Sequence, residues 1–323
     1  MHDFTVLLLS DAYRSSVAAT LDLLEAAERI APSINVSAPR WRVVCATKTG
    51  IGAHSGATQY EYLTNEPNTD DNSVWIVPGL GLSSADDIPR RMAQDDAVLA
   101  IAAIRRHGQN GGQVAASCSA VFLLQAAGLL THRTATTAWL LAPALAKLEP
   151  DCHVDADQMV CNDGPITTAG AAFAQIDLML YLLSRRLGSK LTDNLSRLLL
   201  LNKRDAQAPF IAPEMLVTGN TLISKLTHII EQALPKVPKV KELAAGLCIS
   251  ERTLSRQIKS ATGKSTLALI QYVRLQKARR LIETSRMPIE QIAELVGYQD
   301  ASALRRLTRK VTGANPSQFR NPN

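Results

Sequence analysis

From Phe4 to Gly188 the sequence alternates short apolar, β-rich runs with stretches whose apolar residues recur at helical spacing. FTVLLLS (4–10), WRVVCAT (41–47), SVWIVPG (73–79) and GQVAASC (112–118) read as strands. SVAATLDLLEAAERI (16–30), AVLAIAAIRRHG (97–108), SAVFLLQAAGLL (119–130) and AAFAQIDLMLYLLSRRLG (171–188) read as helices. Strands that are apolar along their whole length need cover on both faces, and the intervening helices supply it. The pattern predicts an α/β domain with a doubly wound, mainly parallel sheet. In such sheets ligands sit beyond the carboxyl ends of the strands. Ser10–Tyr13, Gly79–Leu82 and Cys118 fall at those ends, so three stretches point at one crevice. No GxGxxG or GxxxxGK[ST] pattern occurs, so nothing argues for a dinucleotide or ATP, and no cofactor or metal is expected.

The rest of the chain differs in charge and in pattern. Residues 221–323 hold 18 Lys and Arg against 7 Asp and Glu, whereas residues 1–220 hold 17 against 22. A basic third on an acidic body suggests a nucleic-acid-binding module, although a membrane surface or an acidic partner would attract the same charge. Between the halves, NKRDAQAPFIAPEMLVT loses periodicity and carries two prolines, as a linker does. The expected organisation is a first domain over 1–201, a linker over 202–219 and an all-helical domain over 220–323. Five scattered cysteines without CxxC spacing read as reduced thiols. Cys152 and Cys161 either face each other across a hairpin or are two ordinary buried thiols. No apolar run reaches the roughly 18–20 residues that cross a bilayer. The apolar run at the N-terminus is short and lacks a basic flank, so a cytoplasmic location and no membrane partner are expected.

The helical third contains the same grammar twice. In VKELAAGLCISERTLSRQIKSATG (240–263), Leu243 and Ala244 face inward, Gly246 permits a tight turn and Ser250 caps a second helix. On that helix Leu254 and Ile258 pack inward, leaving Arg252, Ser255, Arg256 and Lys259 outward. In IEQIAELVGYQDASALRRLTRKVTG (289–313), Ile292, Ala293 and Val296 face in, Gly297 turns the chain and Asp300 caps a helix. That helix exposes Ser302, Arg305, Arg306 and Arg309. A long helix with Leu269, Val273, Leu281 and Ile282 on its apolar side joins the two copies. Two helix-turn-helix patterns about 49 residues apart suit two major grooves, where guanidinium groups read guanine.

These stretches, with YVRLQKARRLIE and the terminal TGANPSQFR, resemble the DNA-binding domain of the AraC/XylS family of transcription regulators. The resemblance implies that the two recognition helices enter successive major grooves of promoter DNA. It implies base-reading roles for Arg252, Ser255, Arg256, Ser302, Arg305 and Arg306. Arg274 and Lys277, on the joining helix, are candidates either for phosphate contacts or for structural salt bridges. Thr308 and Thr312 stand where relatives carry core aromatics, and Thr266 replaces a common proline.

With that C-terminus, VWIVPGLG, QVAASCSAVFLLQAAGLLTHRTATTAWLLAPALAKLEP and GPITTAGAAFAQIDLMLYLL resemble the DJ-1/PfpI branch of the glutamine-amidotransferase-like, flavodoxin-like fold, as found in GlxA-type AraC regulators. The resemblance implies a ligand-sensing, dimerising domain. Cys118, on a strand-to-helix turn, raises a second reading, a Cys118-dependent hydrolase or amidase with an appended DNA-binding domain. The helix end should depress the thiol's pKa in part and leave it open to oxidation. A cysteine nucleophile also needs a base. Many relatives read TTHW where this chain reads TTAW, with Ala138 in the histidine's place. His132 falls near a strand start, away from the crevice, and no carboxylate follows strand one between Asp11 and Asp22.

The expectation is therefore a transcription regulator, an activator and not an enzyme, acting as a homodimer on promoter DNA with RNA polymerase as its onward partner. A small-molecule effector, such as an amino acid or quaternary amine, would be held by Asp11, Tyr13, Leu80, Cys118, Ser119, Trp139 and Phe173. Asp11, Tyr13 and Trp139 would attract its cationic end by charge and cation–π contact. Trp139 and Phe173 could instead be core plugs.

Overall fold

The computed structural model describes residues 2–46, 60–63, 71–82, 84–201, 221–262 and 265–312. The chain divides into two compact units, Met1–Gln207 and Ala208–Asn323. The stretch read as a linker and the terminal residues 313–323 lie outside the described residues, as does the side chain of Thr312.

In the first unit, strands β1 (Phe4–Leu8), β2 (Trp41–Cys45), β3 (Tyr60–Tyr62), β4 (Val74–Val77) and β5 (Gln113–Ser117) lie parallel in the order β3-β2-β1-β4-β5. A two-stranded β6 (Thr134–Ala135) and β7 (His153–Val154) pair forms a separate small sheet. The main sheet ends in a hairpin, β8 (Val160–Asp163) and β9 (Ile166–Ala169), with β9 parallel to β5 and β8 antiparallel to β9. This is the doubly wound sheet that the sequence pattern predicts, with the hairpin as an unforeseen edge.

Alternation along each strand divides the core into two layers. Leu7, Trp75, Val77, Val114 and Ala116 point to one face, where α2 (Ile88–Met92), α3 (Asp95–Gln109), α4 (Val121–Ala126) and α5 (Ala142–Leu148) pack. Phe4, Val6, Leu8, Val74, Ile76 and Ala115 point to the other, beneath α1 (Arg14–Ile30), α6 (Ala174–Leu187) and α7 (Ser189–Leu198). Cys152 and Cys161 are separate, buried free thiols, each pushed up to about 11 mainly by burial.

A polar cluster ties the amino ends of the strands together. Asp71 accepts from the Ser73 hydroxyl at 2.6 Å, Trp75 Nε1 at 2.9 Å and Arg42 Nη2 at 2.8 Å. Burial pushes the Asp71 carboxyl up, but the Ser73 and Trp75 hydrogen bonds and the Arg42 charge together hold it below the ordinary 3.8. His107 stacks on Trp75 with centroids 4.6 Å apart, and burial pushes its pKa below the ordinary 6.5. Both folded pKa values lie below their unfolded values, so both contributions are complete at neutral pH and are lost on acidification. The His107 contribution fades first, below about pH 6.5, and that of Asp71 below 3.8. Asp71→Asn should therefore be less stable than the parent at pH 7, and urea melts should show the gap shrinking as the pH falls below 3.8.

The second unit is helical throughout its described residues, with α8 (Thr221–Gln232), α9 (Val240–Gly246), α10 (Glu251–Thr262), α11 (Thr266–Thr284), α12 (Ile289–Leu295) and α13 (Ala301–Thr312). Its two cores share α11. Leu243, Ala244, Leu254 and Ile258 pack with Leu269 and Val273, while Ile292, Ala293, Val296 and Leu304 pack with Leu275, Ala278 and Ile282. Each helix-turn-helix turn is a Schellman closure. The N–H of Ile249 reaches the Ala244 carbonyl at 3.1 Å, and that of Tyr298 reaches Ala293 at 2.8 Å. The left-handed residues are Cys248 (φ 56°) and Gly297 (φ 82°). Gly246, expected to make the first turn, instead ends α9, and Cys248 carries the positive φ. Ser250 and Asp300 cap α10 and α13 as expected, accepting from the Thr253 and Ala303 N–H groups at 3.1 and 2.8 Å. Thr308 is buried and its hydroxyl donates to the Leu304 carbonyl at 2.7 Å, so a polar group is accommodated where an aromatic was expected.

Candidate functional site

Four loops meet at the carboxyl end of the main sheet. Beyond β1, the Tyr13 N–H donates to the Gly79 carbonyl at 2.7 Å, and the Asp11 carbonyl accepts from Gly81 at 2.7 Å. Beyond β5, the Ser119 hydroxyl donates to the Leu80 carbonyl, and Ser117 Oγ accepts from the Gly79 N–H at 3.1 Å. Thr137 donates to the Cys118 carbonyl at 2.7 Å, which draws the 136–139 stretch alongside. The loop after β9 completes the ring, because Ala172 directs its N–H at the Cys118 sulfur while Ser16 Oγ holds its carbonyl at 3.0 Å. The approach at Gly79 is close: a Cβ there would stand 3.0 Å from that of Cys118, so any side chain would have to push the elbow aside.

Cys118 sits at φ 52°, a left-handed conformation that costs a non-glycine residue about 1 kcal/mol. The strain turns its side chain out of the sheet at the start of the turn that leads into α4, as a nucleophile elbow does. Its chemistry departs from the expectation. The residue is only 7% exposed, and burial pushes the thiol's pKa up, offset in part by the N–H and hydroxyl of Ser119 and the N–H of Ala172. Desolvation outweighs the helix end, so Cys118 is a protonated thiol at neutral pH rather than a depressed, oxidation-prone one. Iodoacetamide at pH 7 should therefore label the exposed Cys248 first and Cys118 slowly, a ranking that peptide mass spectrometry reads directly.

Among the described residues no base stands ready. Ala138 occupies the position before Trp139. His132 is exposed and precedes β6. His107 bonds to the Gln113 carbonyl, at the opposite end of β5. Among the described residues, the hydrogen-bond partners of Cys118 are Ser119, Ala172 and Thr137, none of which takes up a proton at neutral pH.

The proposed lining residues separate into three groups. Cys118 and Ser119 form the floor, and Tyr13 and Phe173, 37% and 62% exposed, stand on the loops that border it. Trp139 is half-buried two residues beyond Thr137. Leu80 is a correction: it is fully buried in the layer beneath α2 to α4, and only its backbone carbonyl serves the crevice. Phe173, by contrast, is exposed and is no core plug. Asp11 is exposed at φ 59°, and its backbone carbonyl, not its carboxylate, braces the loops. Sequence reasoning missed Ala172 and Ser16, which act through a backbone N–H and a buried hydroxyl. It also missed the buried Arg91–Asp96 pair behind the β1 loop. Asp96 accepts from the Ser10 N–H at 2.8 Å, and Arg91 donates to the Ser10 carbonyl at 2.7 Å.

In the helical unit, Arg252, Ser255, Arg256 and Lys259 are exposed on α10, and Ser302, Arg305, Arg306 and Arg309 on α13. The latter four line one concavity. Ser255 Oγ also lies 3.4 Å from Thr266 Oγ1 on α11. Arg274 is a correction. It is half-buried, donates to the Val296 and Gly297 carbonyls and lies 4.6 Å over the Tyr298 ring. It latches the second helix-turn-helix turn to α11 through carbonyls and a ring, where a salt bridge was the structural alternative expected.

Comparison with known proteins agrees with both halves. The DJ-1/PfpI family model matches residues 20–185, about half of the chain, and a helix-turn-helix domain model matches residues 243–322. The HTH-type transcriptional regulator GlxA of Rhizobium meliloti is 27% identical over 220 residues, covering 67% of this chain and 68% of that protein. The HTH-type transcriptional regulator CdhR of Pseudomonas aeruginosa is 25% identical over 296 residues, covering 90% of this chain and 84% of that one. A ThiJ/PfpI family protein from Pseudomonas syringae shares the fold at a TM-score of 0.51 and 16% identity, over 70% of this chain and 86% of that one. The chain belongs to the DJ-1/PfpI family and joins that domain to an AraC-type helix-turn-helix domain, the combination of a DNA-binding transcription regulator.

Proposed function

We propose that the DJ-1/PfpI domain senses a small metabolite in the crevice at Cys118, without turning it over, and so sets the affinity of the helix-turn-helix domain for promoter DNA. The observation that carries this reading is the elbow itself, which has donor groups converging on a protonated thiol and no base among its partners. The Ser119 and Ala172 N–H groups suit a carboxylate or carbonyl oxygen. The Tyr13, Trp139 and Phe173 rings suit an ammonium group at the other end of the same molecule. An amino acid or a quaternary-amine acid carries both ends. Asp11, exposed on the β1 loop, adds a negative charge on the side where that ammonium would enter. Bound effector would favour one dimer geometry or domain orientation over another, which requires unequal affinity for the two states. The regulator acts in the cytoplasm as a homodimer and activates transcription by presenting RNA polymerase to its promoter.

A thermal-shift screen of the full chain against amino acids and quaternary amines tests the crevice. A true effector raises the melting temperature by mass action, about 2.7 kcal/mol of stabilisation at a hundredfold excess over Kd. Turnover of glutamine, small amides or glyoxals that disappears in Cys118→Ala would overturn the reading in favour of a hydrolase.

A further inference from the structure

Helix α3 buries Ala97, Ala100, Ala103, Ile104 and His107 against the sheet and turns a different set of residues outward. On that outer side Val98 is 52% exposed and Leu99 37%. The exposed positions of α1, on the opposite face of the sheet, are Arg14, Ser15, Asp22, Glu28 and Arg29, all of them polar as water requires. Adjacent apolar side chains in mid-helix, rimmed by charge, mark a face that another surface covers.

The outer residues of α3 form a seam. Asp95, Leu99, Ala102 and Arg106 follow one another at spacings of four, three and four, the spacing at which two helices pack along their length. At 100° per residue they fall within about 60° of arc, with Val98 beside them. The order along the seam is acid, leucine, alanine, base, and it is its own complement when reversed. About a twofold axis level with residues 100 and 101, an antiparallel copy sets Asp95 opposite Arg106 and Leu99 opposite Ala102, each pairing occurring twice. The small Ala102 leaves room for the facing leucine. A shallow crossing of about 20° keeps the charges, about 16 Å apart along the helix, within reach of their opposites. Among the described residues, the side chains of Asp95 and Arg106 have no hydrogen-bond or ion-pair partner within the chain. The neighbouring Arg105 is already committed to the Ala126 and Ala127 carbonyls.

We propose that α3 packs antiparallel against α3 of a second copy, and that this seam is an interface of the homodimer. The occupant is a second copy because the charge pattern complements itself, whereas a partner surface of one sign would leave either Asp95 or Arg106 unmatched. The inference rests on the homodimer reading given above and locates its contact. A seam of one helix from each copy falls at or below the low end of the roughly 1,200–2,000 Å² of a standard interface, so the dimer should form in the micromolar range.

The test is sedimentation velocity of the full chain from nanomolar to high micromolar concentration. Wild type should pass from monomer to dimer across that range. Asp95→Arg and Arg106→Glu each set like charges at both ends of the seam, and each alone should weaken the dimer at least tenfold. An equimolar mixture of the two variants has opposite charges at both ends, so it should dimerise as wild type does while neither component does. A misfolded chain could not be rescued in this way. Leu99→Lys, which faces outward and so spares the core, should weaken the dimer by a similar factor. A wild-type dimer that none of the three variants weakens would overturn the seam and leave the homodimer reading standing. Loss of the dimer in both charge variants without recovery on mixing would overturn the pairing of Asp95 with Arg106, and the seam with it. A wild-type chain that stays monomeric throughout would overturn both the seam and the homodimer reading.

Discussion

Asp96→Ala should cost about 3–5 kcal/mol of stability, a large share of what holds a domain together. Asp96 and Arg91 form a two-pronged pair at 2.9 Å on each prong, with both side chains 5% exposed. Asp96 also accepts from Ser10 and Ala97, and it stands in the first turn of α3, where the helix dipole favours negative charge. Removing the carboxylate leaves a guanidinium buried without a counter-charge, which is far costlier than never having had the pair. The same change frees the Ser10–Tyr13 loop, one wall of the crevice, so effector response should weaken beyond what the stability loss explains. Pairing Arg91→Met with Asp96→Leu removes both charges and should recover most of the stability, though not the loop's anchor. Urea melts of the singles and the double decide the matter. Additive losses would mean that the pair is not coupled as the geometry requires.

Gly297→Ala should break the second DNA-reading half while leaving the first intact. At φ 82° an alanine is strained by about 1 kcal/mol, and its Cβ would run into the Pro235 carbonyl and the Arg274 guanidinium. Neither obstacle can step aside cheaply. The first is backbone, and the second is the latch on the Val296 and Gly297 carbonyls. Displacing that turn moves α13 relative to α11 and with it Ser302, Arg305, Arg306 and Arg309. Operator affinity should fall at least tenfold, to that of a chain using one recognition helix. The diagnostic comparison is an operator with its second half-site scrambled, which wild type should reject and Gly297→Ala should bind as well as the intact site. Arg274→Ala should act in the same direction with a smaller effect. Retained discrimination in Gly297→Ala would refute the role given to the latch.

Much of this molecule was legible because periodicity and burial are strongly coupled. The runs at 4–10, 73–79 and 112–118 read as buried strands because both faces are covered. Leu254, Ile258 and Ile292 read as inward because helix geometry leaves them no other place. What escaped was settled by tertiary contacts. The β8–β9 hairpin gives β5 its second neighbour, yet its sequence, VCND and ITTA, is too short and too polar to announce a strand. The αL residue of the first helix-turn-helix is Cys248 although a glycine stands two residues earlier, because the closing bonds to Ala244 and Ala245 set the position. The crevice was legible in its floor, at Cys118 and Ser119, but not in its donors. A backbone N–H such as that of Ala172 has no sequence signature, and neither does the burial that keeps Cys118 protonated.

Coupling between the two units is what a sensing regulator requires, and operator affinity in the presence of a bound effector measures it. Any compound that raises the melting temperature of the full chain should be added, at saturation and fixed salt, to an anisotropy titration of the operator. The operator Kd should shift by about 5- to 150-fold, the usual range of a coupling between distinct sites. A compound that binds and stabilises the chain while the operator Kd stays the same would contradict it.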